Sequence, residues 1–385
     1  MSKKRLAISL LGTALLMQAG CNDVFATNIS GITQNQGTGA YDIRPEAHNG
    51  STGFRKFENF SLDNGDIANF IFQYLTKDGE QGSIDKFVNL VDGKVNINGI
   101  VNALDSVGGN LKSDGHLIFV TPNGMVVGGS GVLNVGSLSV FTPTTDTYRH
   151  IRDNILTYKP EVSHDGSQIS AQTDVSWDDG VAALDRGTGV IDINGKIVAR
   201  GDITFDGGTL NVGNGARVFA GVNDANNTVF HKIDPQTGET ITNNTEAVNN
   251  LFDQLVSSKA SDGNAFASDN GNIVITTKTG VKVSEGGIIA NNNNSEDAAF
   301  TITNSGANGI HILGDVSSQN GTLTLDNGNG ELRIDSTGTI NNIGNLNLVN
   351  QENNTGLIID GAINNKGTLN VTNYSGINGL EIGGT

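Results

Sequence analysis

The segments GDVSSQNGTLTLDN (314–327), GTINNIGNLNLVN (338–350) and GAINNKGTLNVTN (361–373) are three copies of one pattern. Val316, Ile340 and Ile363 coincide, 24 and 23 residues apart. Gly321, Gly344 and Gly367 coincide at 23 and 23, as do Leu323, Leu346 and Leu369, followed by Leu325, Leu348 and Val371. A second set interleaves with the first: Ile310, Leu332, Leu357 and Leu380, each with an aliphatic partner two residues on (Ile312, Ile334, Ile359, Ile382). A repeat of this length with at least three short period-2 segments is the signature of a stacked array.

Three short strands and three turns in ~23 residues describe one coil of a parallel β-helix, with successive coils hydrogen-bonded at ~4.8 Å. Alternate side chains of each strand point inward, so Ile, Val and Leu form stacks along the axis. A single coil cannot bury that face; a stack of coils can. A β-sandwich also has many short strands, but nothing in it demands a fixed register. The handedness rule for parallel crossovers predicts a right-handed helix. The expected fold is therefore all-β: a right-handed parallel β-helix of about 23 residues per coil, with an N-terminal cap and extra-helical excursions.

Composition agrees. The 385 residues include 52 glycines and only 16% charged residues, against averages near 7% and 25%. The apolar residues are mostly aliphatic strand formers, and Asn, Gly, Asp, Ser and Thr fill the intervals as turn formers. The same texture runs upstream, through VTPNGMVVGGSGVLNVGSLSV (120–140), 190–222 and 271–290. Residues 120–140 read as most of one coil, with a type I turn at Thr121-Pro122-Asn123-Gly124 and the other glycines at corners. Three stretches depart from the texture. Asp66 to Leu75 is apolar without alternation and reads as a buried or capping segment; Val248 to Val256 has helical spacing and reads as a short helix leaning on the solenoid. Residues 142–180, with Tyr148, Tyr158 and Trp177, read as an excursion from the coils.

The formal charge is −17, which makes nucleic acid and anionic membrane surfaces poor partners, since both want a basic face. Basic residues cluster only at Lys3-Lys4-Arg5, ahead of the apolar run Leu6 to Met17 and Val24-Phe25-Ala26. That is a secretory signal, read by the Sec translocon, with cleavage after Ala26. A lipoprotein cut before Cys21, in Gln18-Ala19-Gly20-Cys21, is the alternative and makes Cys21 the lipidation site. Cys21 is the single cysteine, so the first cut leaves a mature chain that cannot form an internal disulfide.

No catalytic or metal site is expected. Polysaccharide-active β-helix enzymes need clustered acids with Lys, Arg or His on one outer face. The nearest acidic pair, Asp178-Asp179, is expected on a strand, where neighbours point to opposite faces. The histidines (48, 116, 150, 164, 231, 311) lack ligand spacing, and His116 and His311, just ahead of strand residues, are expected to face outward. Asp326 to Gly330 and Asn291 to Asp297 are oxygen-rich but lack a calcium-binding nonapeptide and read as solvated turns. No cofactor is called for.

YDIRPEAHNGSTGFRKFENFSLDNGDIANF (41–70), KFVNLVDGKVNINGIVNAL (86–104) and GHLIFVTPNGMVVGGSGVLNVGSLSVFTP (115–143) resemble the N-terminal secretion domain of two-partner-secretion exoproteins, the filamentous-haemagglutinin-like and leukotoxin-type filamentous adhesins. The resemblance is specific over about residues 28–143 and looser to about 290. It implies a capped right-handed β-helix that is recognised in the periplasm by an outer-membrane barrel transporter carrying POTRA domains. It implies a passenger that folds outside the cell and serves adhesion to a host or cell-surface glycan or protein. The family marker Asn-Pro-Asn-Gly reads Thr121-Pro122-Asn123-Gly124 here, so Pro122, Asn123 and Gly124 are the residues carried over as the transporter-recognition or turn motif. A second marker, Asn-Pro-Asn-Leu, has no match. The implied organisation is a signal peptide at 1–26, a secretion domain at 27–300 and β-helix repeats at 301–385. Because the sequence stops mid-repeat, these repeats read as the start of a longer passenger. The expected location is the surface or medium of a diderm bacterium. A surface-anchored lipoprotein and a polysaccharide-active enzyme are the rival readings.

Overall fold

Every aliphatic pair read from the repeat meets its counterpart in the next coil. Val316 is registered with Ile340 and Ile340 with Ile363; Leu323, Leu346 and Leu369 form another row. In the computed structural model, residues 26–384 are described apart from 108–109, 162–168, 225–227, 243, 352–355 and 375–378. Residues 1–25, which hold most of the expected signal segment and Cys21, lie outside the described residues, and so does His164.

Each coil lays down three strands, on three faces taken in order. Face 1 runs from Phe60–Leu62 through Val95–Ile97, Met125–Val127 and Val190–Ile193 to Leu380–Ile382. Face 2 runs from Tyr41–Ile43 through Ile67–Ile71, Ile100–Val107, Val132–Val135 and Lys196–Ala199 to Ala362–Asn365. Face 3 runs from Thr52–Phe57 through Lys86–Val91, His116–Val120 and Ser137–Phe141 to Leu369–Asn373. Strands stack parallel along all three faces. At Ile203–Val212 and Ile273–Val283 face 3 continues into face 1 through a corner that stays extended, so these faces form one sheet of 21 strands. The parallel ladder passes residue 300 without a break.

The core is a set of rows rather than a centre. On face 1, Phe60, Val95, Met125, Ile191, Leu210, Val281, Ile310, Leu332 and Leu357 occupy one register position in successive coils and are buried. Burying such a side chain contributes roughly 1.5–3 kcal/mol. The row continues to Leu380, which is exposed, as is Ile382. The first coils are filled differently. Phe57, Phe60, Phe70, Phe72, Phe87 and Phe119 pack mainly edge to face, with ring centroids 5.5–5.9 Å apart. Above them the chain closes the solenoid with reversed strands. Asn28–Ile29 runs antiparallel to Phe60–Leu62, and Ala47–Asn49 antiparallel to Thr52–Phe57. The expected N-terminal cap is present, and it ends the parallel ladder in an edge that further parallel coils do not match. The apolar stretch from Asp66 is no cap: Ile67–Ile71 is a face 2 strand buried on both sides, and Gln73–Leu75 starts a small hairpin.

Asparagine ladders line the corners. Asn304, Asn327, Asn350 and Asn373 are in register, and each of the first three donates its Nδ2 to the Oδ1 of the next, at 2.9, 3.1 and 2.9 Å. A second ladder runs along the outer side of face 2, beneath the second excursion, with the opposite polarity. Arg200 donates to Asn134 Oδ1, Asn134 to Asn102, Asn102 to Asn69 and Asn69 to Asp42. A cation at one end and a carboxylate at the other match the direction in which the amide dipoles point, so the bonds reinforce one another. Asn291, Asn292 and Asn293 are buried at 1%, 0% and 4% exposure, so the expectation of a solvated turn fails there. Asn327 is buried as well. These amides sit at inside corners, where Asn293 donates to Gly271 O and Asn327 to Gly330 O in place of water, while Asn291 Nδ2 and both polar atoms of the Asn292 side chain have no hydrogen-bond partner among the described residues.

Two excursions pack on the outside as expected. Residues from 142 hold α1 (Thr145–His150), a single π turn (Ile151–Ile155) and α2 (Trp177–Ala182). Tyr148, Ile151, Leu156 and Trp177 cover the outward residues Phe54, Val88, Leu90, Ile118 and Val120 of face 3. The segment between Ala220 and Ile273 includes α3 (Thr245–Ser258), whose Val248, Leu251, Phe252 and Leu255 cover Val132, Val198, Phe219 and Ile288 of face 2.

Removing a buried rung tests the ladder. Asn327→Ala leaves Asn304 and Asn350 each short of a bond and is expected to cost about 1–3 kcal/mol in equilibrium urea denaturation. Asn347→Ala, on the outer side of the next strand in the ladder, Asn345–Asn350, is expected to stay within about 0.5 kcal/mol.

Candidate recognition surface

The turn at 121–124 leaves face 3 after Val120 and enters face 1 at Met125. Its residue types follow from its neighbours. Gly124 has φ +83°, and a Cβ there would lie 2.1 Å from the carbonyl oxygen of Val190 in the next coil. Glycine alone meets both conditions. Thr121, in the place of the marker's first Asn, is fully buried and donates its hydroxyl to Gly93 O at 2.8 Å. Asn123 is exposed, yet its Nδ2 donates to Asp92 O at 2.7 Å. Two side chains thus pin the turn to the Asp92-Gly93 corner of the preceding coil. Pro122, Asn123 and Gly124 are brought together, and of these only Asn123 and part of Pro122 face solvent.

Asp92 is a junction that sequence reading missed. Its carboxylate Oδ1 accepts from Tyr148 Oη at 2.8 Å and from Arg152 Nη1 at 2.6 Å. Burial, then the bond to Asp92, hold the Tyr148 phenol well above its ordinary pKa. Arg152 is also bonded to Asp153, and Asp153 and Asp92 both hold the guanidinium charged. Nearby, Tyr158 donates to Glu46 at 2.8 Å, and Lys56 lies 4.7 Å over the Tyr158 ring. One corner residue therefore joins the turn, through its carbonyl, to the first excursion, through its carboxylate. The only signal was the Asp-Gly turn pair at 92–93; its partners lie some 56 and 60 residues away.

The acidic pair sits otherwise than expected. Asp178 and Asp179 are in α2, not on a strand, because Trp177 anchors a helical turn against Phe141 at 5.8 Å. Both aspartates are exposed. Among the described residues no group of three or more His, Cys, Asp or Glu is placed to hold a metal ion, and no helix is long and apolar enough to cross a membrane. His116 is itself the first residue of its strand, with Nε2 2.9 Å from Ser139 Oγ. Burial, with Lys86 alongside, pushes its imidazole down to about 4.

No protein-family model matches the chain, and no curated protein matches it. Solved structures similar to it include a filamentous hemagglutinin secretion domain, 13% identical, with 93% of this chain and 99% of that chain covered and a TM-score of 0.23. At that level the likeness carries no function across. The all-β solenoid class rests on the strand ladders themselves.

Two expected outcomes follow from this geometry. Gly124→Ala should cost about 2 kcal/mol or more, because strain and a backbone clash coincide. Asn123→Ala loses one bond to a carbonyl and should cost about 0.5–1.5 kcal/mol; urea midpoints of the two variants check the order. For His116, the unfolded chain takes up a proton below its ordinary 6.5 that the folded chain refuses until about 4. Stability is therefore complete above that window and falls as pH drops through it. The urea midpoint should drop further for the wild type than for His116→Gln between about pH 7 and about pH 4.5.

Proposed function

We propose that the chain is an exported, non-catalytic β-helix whose N-terminal coils direct secretion through a cognate outer-membrane transporter carrying POTRA domains, for adhesion at the cell surface. The observation that supports this most is that the stretch resembling secretion domains forms one contiguous unit. The cap, the phenylalanine-filled first coils and the turn at 121–124 all fall within residues 28–143. Asn123 and Pro122 are the accessible part of that turn and are the candidate transporter contact.

The architecture suits the route. Each coil pairs with its immediate neighbours, so the chain can pass a narrow pore unfolded and assemble coil by coil outside. Refolding there opposes return. A host or cell-surface glycan or protein is the proposed adhesion target.

The test follows the protein. The wild type, a deletion of 95–140 and Asn123→Ala are expressed in the host, and medium, surface and periplasm are assayed. We expect the wild type outside and the deletion retained in the periplasm. Retention of Asn123→Ala, with its fold intact, would mean that the side chain is read rather than merely shaping the corner. Export of both the wild type and the deletion, or stable retention of both, sinks the transporter reading. Acylation of Cys21, seen by mass spectrometry, would shift the assignment to a surface-anchored lipoprotein.

A further inference from the structure

The second excursion does not lie flat on face 2. Between it and the corner joining faces 1 and 2 is a cavity of about 630 Å³, within the ~300–1,000 Å³ range of small-ligand sites. It is separate from the 121–124 turn. The floor is a row of outward side chains, Ile67, Ile100 and Val132, and the next position in that row is Lys196. One wall is the corner carrying Asn98 and Ser130. The other is the chain from Ile241 into the first turn of α3, with Asn249.

The charge of the cavity runs against that of the molecule. The chain has 40 acidic residues against 23 Lys and Arg, yet among the described residues no Asp or Glu lines this space, while Lys196 and Lys232 both do. Neither lysine forms an ion pair among the described residues. Lys232 Nζ donates to Gly65 O at 2.5 Å. Lys196 is half-buried and has Arg217 as its ladder neighbour on the following coil. Burial and Arg217 both weigh against its ammonium form, and Asp253 only partly offsets them. The N-terminus of α3 adds to the positive potential, opposed by the exposed Glu246 in its first turn. Asn244, its N-cap, makes no capping bond and instead donates its amide to His231 O at 3.1 Å.

Two unpaired ammonium groups in a cavity call for an anion. The walls say which kind. Asn and Ser side chains donate and accept in several directions, which suits a ring of hydroxyls, and the aliphatic floor suits the C–H face of a pyranose. A bare inorganic anion would leave most of the space and the amides unused. We propose that this cavity binds a carboxylated saccharide, a sugar acid whose carboxylate is held by Lys196 and Lys232 and whose hydroxyls pair with the amide and hydroxyl walls. The site does not depend on how the protein leaves the cell, and it is tested on purified protein.

The experiment is saturation-transfer NMR with calorimetric titration of the full chain. The probes are glucuronate and N-acetylneuraminate, with glucose as the uncharged ring and acetate as the bare carboxylate. A sugar acid is expected to bind. Its affinity should drop about tenfold or more in Lys196→Gln, that is about 1.4 kcal/mol, and should be kept in Lys196→Arg. Glucose should bind far more weakly, and acetate should fail to displace the sugar acid at equal concentration. Four results overturn the proposal: binding of neither sugar acid, equal binding of glucose and glucuronate, displacement by acetate as effective as by glucuronate, or affinity unchanged in both Lys196→Gln and Lys232→Gln. The probe comparisons use wild-type protein alone and decide the matter even where a lysine variant fails to fold.

Discussion

The coil-to-coil ladder governs the rest of this structure. A parallel stack allows no local choice. A residue's side chain lands on the same side as that of its partner one coil away, and a slip by one residue would exchange inside for outside along an entire face. Interior rows such as Phe60 to Leu357 exist because every coil repeats the same decision. Where length varies between coils, the variation is confined to corners. Ile203–Val212 and Ile273–Val283 absorb theirs with a register shift at Gly207 to Thr209, and register is recovered by Leu210 and Val281.

The outer surface follows from the same rule. Two runs of outward apolar positions are covered by the excursions. The segment after residue 142 covers face 3 over Phe54, Val88 and Ile118, and α3 covers face 2 over Val132 and Phe219. Face 1 carries Asn96, Asp192, Asn211, Lys282, His311 and Arg333 outward, and among the described residues neither apolar cluster under the excursions includes a residue of it. The excursions also create what the solenoid alone lacks: a corner residue with three partners at Asp92, and a sheltered, acid-free cavity beside Lys196.

What could be read from sequence divides along the same line. The repeat, its interior rows and the helical spacing of α3 depend on nearest neighbours in a periodic pattern, and all were legible. The turn at 121–124 was legible because Pro, Asn and Gly each answer to a local backbone demand. Residues whose roles come from contacts across many coils were not. Asp92 meets Tyr148 and Arg152 through an excursion whose path has no period. Asp178 and Asp179 were misplaced because a single tryptophan anchor, not alternation, decides their local geometry. Asn291 to Asn293 read as surface residues because polarity usually means exposure, and an inside corner reverses that rule.

The two asparagine ladders differ in a way that bears on how such a chain can change length over generations. The ladder through Asn304, Asn327 and Asn350 maps onto itself when shifted by one repeat: each amide meets an identical amide ahead. A whole coil can be duplicated or lost there without leaving a mismatched bond. The ladder on the outer side of face 2 begins at Asp42 and ends at Arg200, and its bonds all point one way between two opposite charges. Inserting or deleting a coil inside it would need another asparagine in the same orientation and would also displace Phe230 and Thr228, whose carbonyls it engages. The first part of the molecule is thus of fixed gauge, while the later part is a cassette array that recombination can lengthen or shorten.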